Sequence, residues 1–179
     1  MQRIMLEDWS SDGKWIVFLR GGQGRGGIWA LPLEDSGEPV RWVQGGSFAI
    51  DEPQLSPDGG WLAYGSTETG RFEVYLNPLD KGERIRVSKD GGAQPRWRDD
   101  GRELFFLGLE GTLMSVDFDA LHGEAGTAKP LFSAGLTVDP QRDQYGVAPG
   151  GEKFLFLLPA GSDEPITVVL NWKTLLRPR

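Results

Sequence analysis

A ten-residue pattern recurs four times along this chain and constrains its fold more than any other feature. Trp9-Ser10-Ser11-Asp12-Gly13-Lys14-Trp15-Ile16-Val17-Phe18 is answered by Leu55-Ser56-Pro57-Asp58-Gly59-Gly60-Trp61-Leu62-Ala63-Tyr64. A third copy is Trp97-Arg98-Asp99-Asp100-Gly101-Arg102-Glu103-Leu104-Phe105-Phe106, and a looser fourth is Val147-Ala148-Pro149-Gly150-Gly151-Glu152-Lys153-Phe154-Leu155-Phe156. The turn glycines Gly13, Gly59, Gly101 and Gly151 lie 46, 42 and 50 residues apart. Repetition at such a period marks stacked supersecondary units, each burying its faces against its neighbours.

Each unit reads as a four-stranded antiparallel meander. A first strand ends on an apolar residue, and Asp-Gly supplies the positive-φ position of a tight hairpin. The second strands, Trp15 to Leu19, Trp61 to Tyr64, Leu104 to Leu107 and Phe154 to Leu158, are nearly all apolar. A strand with one wet face alternates, so these runs predict burial on both faces. Third strands are expected at 28–31, 74–76, 113–116 and 166–170, and outer strands at 40–43, 84–87 and 130–132. The fourth unit shows no clear outer strand. The fold class is therefore all-β, a β-propeller of about four blades, with the last blade lacking its outer strand and the ring possibly incomplete. Approximate blades are 3–46, 50–89, 93–135 and 144–173 within a single domain or arc over 1–179. A β-sandwich also gives short strands and many turns, but the recurring Asp-Gly hairpin argues against it.

The second and third units resemble the W-S-P-D-G-x-x-[IL]-x-[FY] repeat of TolB-like, WD-repeat-like propellers. The first unit has Ser11 in place of the usual proline, and the fourth has Gly150 in place of the aspartate. The order of units, ending in Ile166-Thr167-Val168-Val169-Leu170-Asn171-Trp172, is similar to the C-terminal part of propellers attached to bacterial membrane-tethered serine/threonine kinases. Rings of that family usually have six or more blades, so the resemblance implies an arc with an open edge. It also implies a binding platform, without fixing a ligand.

The net charge of −7 and the absence of a Lys/Arg stripe argue against nucleic acid and against an anionic membrane surface. No run approaches the ~18 apolar residues of a membrane span, so no insertion is expected. The first residues, Met1 to Asp8, lack the features of a secretory signal. With no cysteine there is no thiolate chemistry or disulfide. The compartment stays open: periplasmic or extracytoplasmic in a bacterium if the chain belongs to a longer parent, cytoplasmic otherwise.

No catalytic apparatus is legible. Gly22-Gln23-Gly24-Arg25-Gly26-Gly27 fits G-x-G-x-x-G but lies between two strands. A dinucleotide site needs a helix there, and no kinase motif follows, so a flexible hairpin loop is expected. Asp12, Asp58 and Asp100 fall one per unit at equivalent turns, where aspartate bonds its own backbone, so no metal is assigned. The sialidase Asp-box is only partly met by Ser10 to Trp15. His122 is the only histidine, in a polar stretch, with no G-x-S-x-G nucleophile to serve. The pairs Asp51-Glu52, Asp99-Asp100 and Asp163-Glu164 read as solvated turn residues; an acid–base pair for glycan chemistry would have to face across a cleft. Trp9, Trp15, Trp61, Trp97, Phe105, Phe106, Phe154 and Phe156 are assigned to the interblade core, with Trp29, Trp42 and Phe48 partly exposed.

The loops joining second to third strands (20–27, 66–71, 108–111, 159–164) and those entering each next blade (49–52, 90–94, 139–144) share one face of the ring. There a protein or peptide partner would meet Glu52, Arg71, Asp90, Arg96, Arg98, Arg142 or Tyr145, residue types that combine contact area with directed hydrogen bonds. The expected function is a non-catalytic scaffold for protein or peptide interaction, without a cofactor. The alternative is an accessory or sensory propeller within a larger enzyme, such as a receptor-type kinase or a propeller-gated peptidase. A homo-oligomer would shield or complete the open edge.

Overall fold

A computed structural model describes residues 4–22, 25–34, 37–158 and 168–170. They form four antiparallel sheets in chain order. The first comprises β1 (Ile4–Trp9), β2 (Trp15–Gly22), β3 (Arg25–Pro32) and β4 (Val40–Val43), paired in that order. The second comprises β5 (Ile50–Leu55), β6 (Trp61–Ser66), β7 (Glu73–Pro78) and β8 (Ile85–Arg86). The third runs β9 (Ala93–Trp97), β10 (Glu103–Leu107) and β11 (Thr112–Asp119), and β11 then pairs with both β12 (Glu124–Ala125) and β13 (Lys129–Ser133). The outer strand of this blade is thus split in two. The fourth sheet is β14 (Tyr145–Val147), β15 (Lys153–Phe156) and β16 (Val168–Leu170). The question of a fourth outer strand falls on residues 171–179, outside the described residues.

The hairpin turns work as the repeat demands. Gly13, Gly59 and Gly101 have φ of 75°, 72° and 71°. Oδ1 of Asp12, Asp58 and Asp100 accepts from the amides of Lys14, Gly60 and Arg102, each at 3.0 Å. Ser10 Oγ and Ser56 Oγ donate to those aspartates in the first two units and accept from the amides of Trp15 and Trp61. In the third unit Arg98 takes the serine's place and holds Asp100 through two N–H groups at 2.7 Å.

Second strands are apolar because successive side chains serve different interfaces. Leu62 and Tyr64 of β6 pack with Val17, Leu19 and Ile28 of the first blade, while Ala63 packs with Leu104 and Phe106 of the third. Phe105 and Leu107 of β10 turn the other way, onto Tyr145, Phe154 and Phe156. Each interior sheet is therefore buried on both faces. The end sheets are not: in β15 Phe154 and Phe156 are buried, but Lys153 and Leu155 are exposed. The sequence run predicted two buried faces there, and no described element covers the second one.

Three further expectations change. Trp9 is 63% exposed rather than core, because it lies on the face of the first sheet turned away from the second. The glycine-rich stretch is not a long loop, since the β2–β3 ladder continues through Gly21↔Gly26 to Gly22↔Arg25. Asp51 and Glu52 are not solvated turn residues. Both lie on β5, and Glu52 is buried.

Candidate functional site

The first strands of the four sheets, β1, β5, β9 and β14, adjoin one another in order and are stitched from blade to blade. Asp8 Oδ2 accepts from the Leu55 amide at 2.7 Å, Trp97 Nε1 donates to the Gln54 carbonyl at 3.2 Å, and the Tyr145 hydroxyl donates to the Gln94 carbonyl at 2.9 Å. Asp8 and Trp9, Gln54 and Leu55, Arg96 and Trp97, and Val147, contributed by these four strands, line one recess of about 370 Å³. Equivalent positions of the repeat thus converge on one place.

Glu7, Asp51 and Glu52 are electrostatic neighbours: Asp143, from the segment entering the fourth blade, acts on all three, and Arg96 of the recess opposes it at Glu7 and Glu52. Arg96 Nη2 pairs with Asp143 Oδ1, Nη1 donates to the Pro95 carbonyl at 2.8 Å, and the guanidinium lies 5.9 Å from the Tyr145 ring centroid. Gln141 Nε2, from the same segment as Asp143, donates to Asp51 Oδ2 at 3.3 Å. Burial raises the Glu52 carboxyl to about 9; Arg96 pulls against this, and Asp143, Asp51 and Glu7 add to it. Glu7 is raised to about 7 by burial and by Asp51 and Asp143, with Arg96 opposing. Asp51 and Asp8 are also raised, chiefly by burial. The region is rich in carboxyls and poor in compensating charge, so removal from water favours the neutral acids.

Glu52 is the anomaly. It is 5% exposed, and neither Oε1 nor Oε2 has a hydrogen-bond partner. Its φ is 51°, in the left-handed region. The repeat-equivalent residue of the next blade, Gln94, shares that conformation with φ of 58° and is also buried. Yet the Gln94 side chain is fully engaged. Its Nε2 donates to the Asp139 carbonyl and to Gln144 Oε1, each at 2.9 Å, and its Oε1 accepts from the Gln144 amide at 2.8 Å.

The other expected residues divide. Arg71 and Asp90 form a separate group: Arg71 Nε holds Glu73 at 2.7 Å, its Nη2 donates to the Lys89 carbonyl, and Asp90 lies 3.8 Å away. Arg98 lines the same recess as Arg96 and also clamps the β9–β10 turn through Asp100 and Glu103 at 2.7 and 2.6 Å. Arg142 is exposed and pairs with Asp139 at 3.2 Å. Tyr145 is buried and stacked on Phe156, its hydroxyl occupied by the Gln94 carbonyl. Only Glu52 and Arg96 enter the carboxyl cluster directly. Glu7, Asp51 and Asp143 were missed, although the alignment of Glu52-Pro53 with Gln94-Pro95 marks β5 as a channel strand. Among the described residues no cluster of three or more histidine, cysteine or acidic side chains has metal-holding geometry.

No protein-family model matches the chain. Tricorn protease homolog 1 of Streptomyces coelicolor is 29% identical over 139 residues, covering 76% of this chain and 12% of that protein. The uncharacterized protein Atu1656 of Agrobacterium fabrum is 26% identical over 132 residues, covering 69% of this chain and 44% of its own length. The chain therefore spans less than half the length of either relative. In structure, TolB from Acinetobacter baumannii matches with a TM-score of 0.67 at 17% identity, over 91% of this chain and 39% of that one. With four meander blades stacked through their first strands, this chain has the fold of a TolB-like β-propeller.

Proposed function

We propose that this chain is a non-catalytic propeller scaffold that binds a protein or peptide at the channel, through β1, β5, β9 and the segment 139–144. The observation that carries the reading is the buried, unpaired Glu52, whose electrostatic neighbours are Glu7, Asp51, Asp143 and the Arg96 that pairs with Asp143. Charged groups drawn together out of water at the mouth of a rigid scaffold favour a partner that completes them. Glycan cleavage needs two carboxyls facing a sugar across an open cleft. Here the oxygens of Glu52 are buried, out of reach of a ring-sized substrate.

Displayed peptide libraries panned against the wild-type chain and an Arg96→Glu, Asp51→Lys double variant test this. Enrichment of a common motif on the wild type alone is the expected result. The same motif on both proteins, with the fold intact by circular dichroism, removes the channel from the reading.

A second reading is supported by the span of the relatives. A stretch matching 12% of a tricorn protease homolog suits an accessory propeller of a larger enzyme. The two readings share the channel and differ in whether the bound chain is a partner or a substrate in transit. Binding without turnover of the panned peptides in the presence of the full-length parent favours the scaffold.

A further inference from the structure

We propose that Glu7, Asp51, Glu52 and Asp143 form a receptor for a primary ammonium group, carried by a lysine side chain or the amino terminus of a peptide. The inference rests on the scaffold reading and names the chemistry its channel selects.

The contrast between Glu52 and Gln94 carries the argument. The two occupy one position of the repeat, share a left-handed backbone, precede a proline and are both buried. The fold can satisfy a side chain placed there, as the three bonds of Gln94 demonstrate. In β5 the residue is instead an acid with neither oxygen bonded. Buried polar groups are almost always paired, so an unpaired one calls for a specific explanation. A carboxyl accepts when ionised, and what is absent is a donor bearing positive charge.

The surroundings select that donor. Glu52 has Glu7, Asp51 and Asp143 as electrostatic neighbours, and the one guanidinium acting on it, Arg96, already engages Asp143 and the Pro95 carbonyl. An added monocation would let Glu52 ionise by offsetting the burial, and after it the neighbouring carboxyls, that raise both Glu52 and Glu7. The carboxyls arrive from β1, β5 and the segment 139–144, in different directions. An ammonium presents three N–H groups in a tetrahedral fan and suits such a set, whereas a planar guanidinium prefers one coplanar carboxylate. The contact that an entering ammonium displaces is the long 3.3 Å bond from Gln141 to Asp51. The recess of about 370 Å³ lined by Arg96 and by Asp8, the residue after Glu7, gives a peptide room to approach.

The test titrates the whole chain at neutral pH with three probes: Gly-Gly-Lys-Gly-Gly blocked at both ends, the same peptide with an acetylated lysine, and unblocked pentaglycine. The blocked lysine peptide should bind at least about tenfold more tightly than its acetylated twin, the size of one charge-assisted hydrogen bond. Pentaglycine binding instead of the blocked lysine peptide would identify a chain terminus as the source of the ammonium. Glu52→Gln should lose about tenfold or more while melting no lower than the wild type, and Asp51→Asn should lose less. Calorimetry in buffers of different ionisation heat should show a proton leaving the wild-type protein on binding, and none leaving Glu52→Gln. Equal binding of the lysine peptide and its acetylated twin with no binding of pentaglycine, or unchanged binding by Glu52→Gln, overturns the inference. If library-selected peptides still bind in that case, the scaffold survives without the ammonium receptor; if no peptide of any kind binds, both fall.

Discussion

Glu52 keeps its proton through neutral pH chiefly because burial penalises its charged form, with Asp143, Asp51 and Glu7 adding to that against the pull of Arg96. The consequence for stability has a definite sign. Its value rises from 4.5 when solvated to about 9 in the folded chain, so the folded state binds the proton more tightly. Stability is then greatest below the unfolded value and is lost as pH climbs from 4.5 towards 9. Glu7, raised to about 7, adds a loss of the same sign over the lower part of that window. Glu52→Gln removes the larger contribution. The stability advantage of the variant should grow by roughly 3 kcal/mol between pH 4.5 and neutrality, read from urea unfolding at a series of pH values. Parallel pH profiles for the two proteins would show that Glu52 is not held protonated. This behaviour was not legible in the sequence. Two adjacent acids near a turn normally face water, and only the bulged first strand turns Glu52 inward. Arg96 was legible as a channel residue, whereas the exposed Asp143 that engages it belongs to a segment with no repeat signature.

The strand-pair hairpin is the element that the repeat specifies most completely. Asp58 bonds the Gly60 amide, Ser56 bridges Asp58 and the Trp61 amide, and Gly59 takes the left-handed position at φ of 72°. An added Cβ at Gly59 meets nothing within 4 Å, so its cost is purely conformational. Gly59→Ala should destabilise by about 1 kcal/mol. Ser56→Ala should cost a similar amount, roughly 1 kcal/mol, by leaving the Trp61 amide without its side-chain acceptor. Thermal melts of the two single variants and the double variant check both, with less than additive losses expected because they share one turn. Turn chemistry is local, which is why these elements could be read from residues alone. The split of the third outer strand and the half-exposed β15 could not, because each depends on which neighbours arrive to cover a face.

Three interblade cores hold the molecule together, and among the described residues nothing covers one face of each end sheet. Phe105 sits in the core between the third and fourth blades, edge-on to Phe154 with centroids 5.0 Å apart. Phe105→Ala should therefore cost about 3–5 kcal/mol, enough to unfold a marginal propeller arc. Leu6 is equally apolar but 76% exposed, on the outer face of the first sheet with Ile4 and Trp9; Leu155 and Leu157 are exposed at the other end. Sequence pattern makes no distinction between the two kinds of site. Both are apolar strand positions, and only the order of stacking separates an interior face from an end face. A contiguous apolar face of this sort drives association unless it is covered. Substituting Leu6 and Trp9 by lysine should change unfolding stability by no more than about 0.5 kcal/mol per site, since neither belongs to a core. The same pair should lower the weight-average mass in sedimentation or light scattering across a concentration series. A wild-type chain that stays monomeric throughout that series would show that the outer face of the first sheet is tolerated in water, and would take association out of the account of how this arc shields its edge.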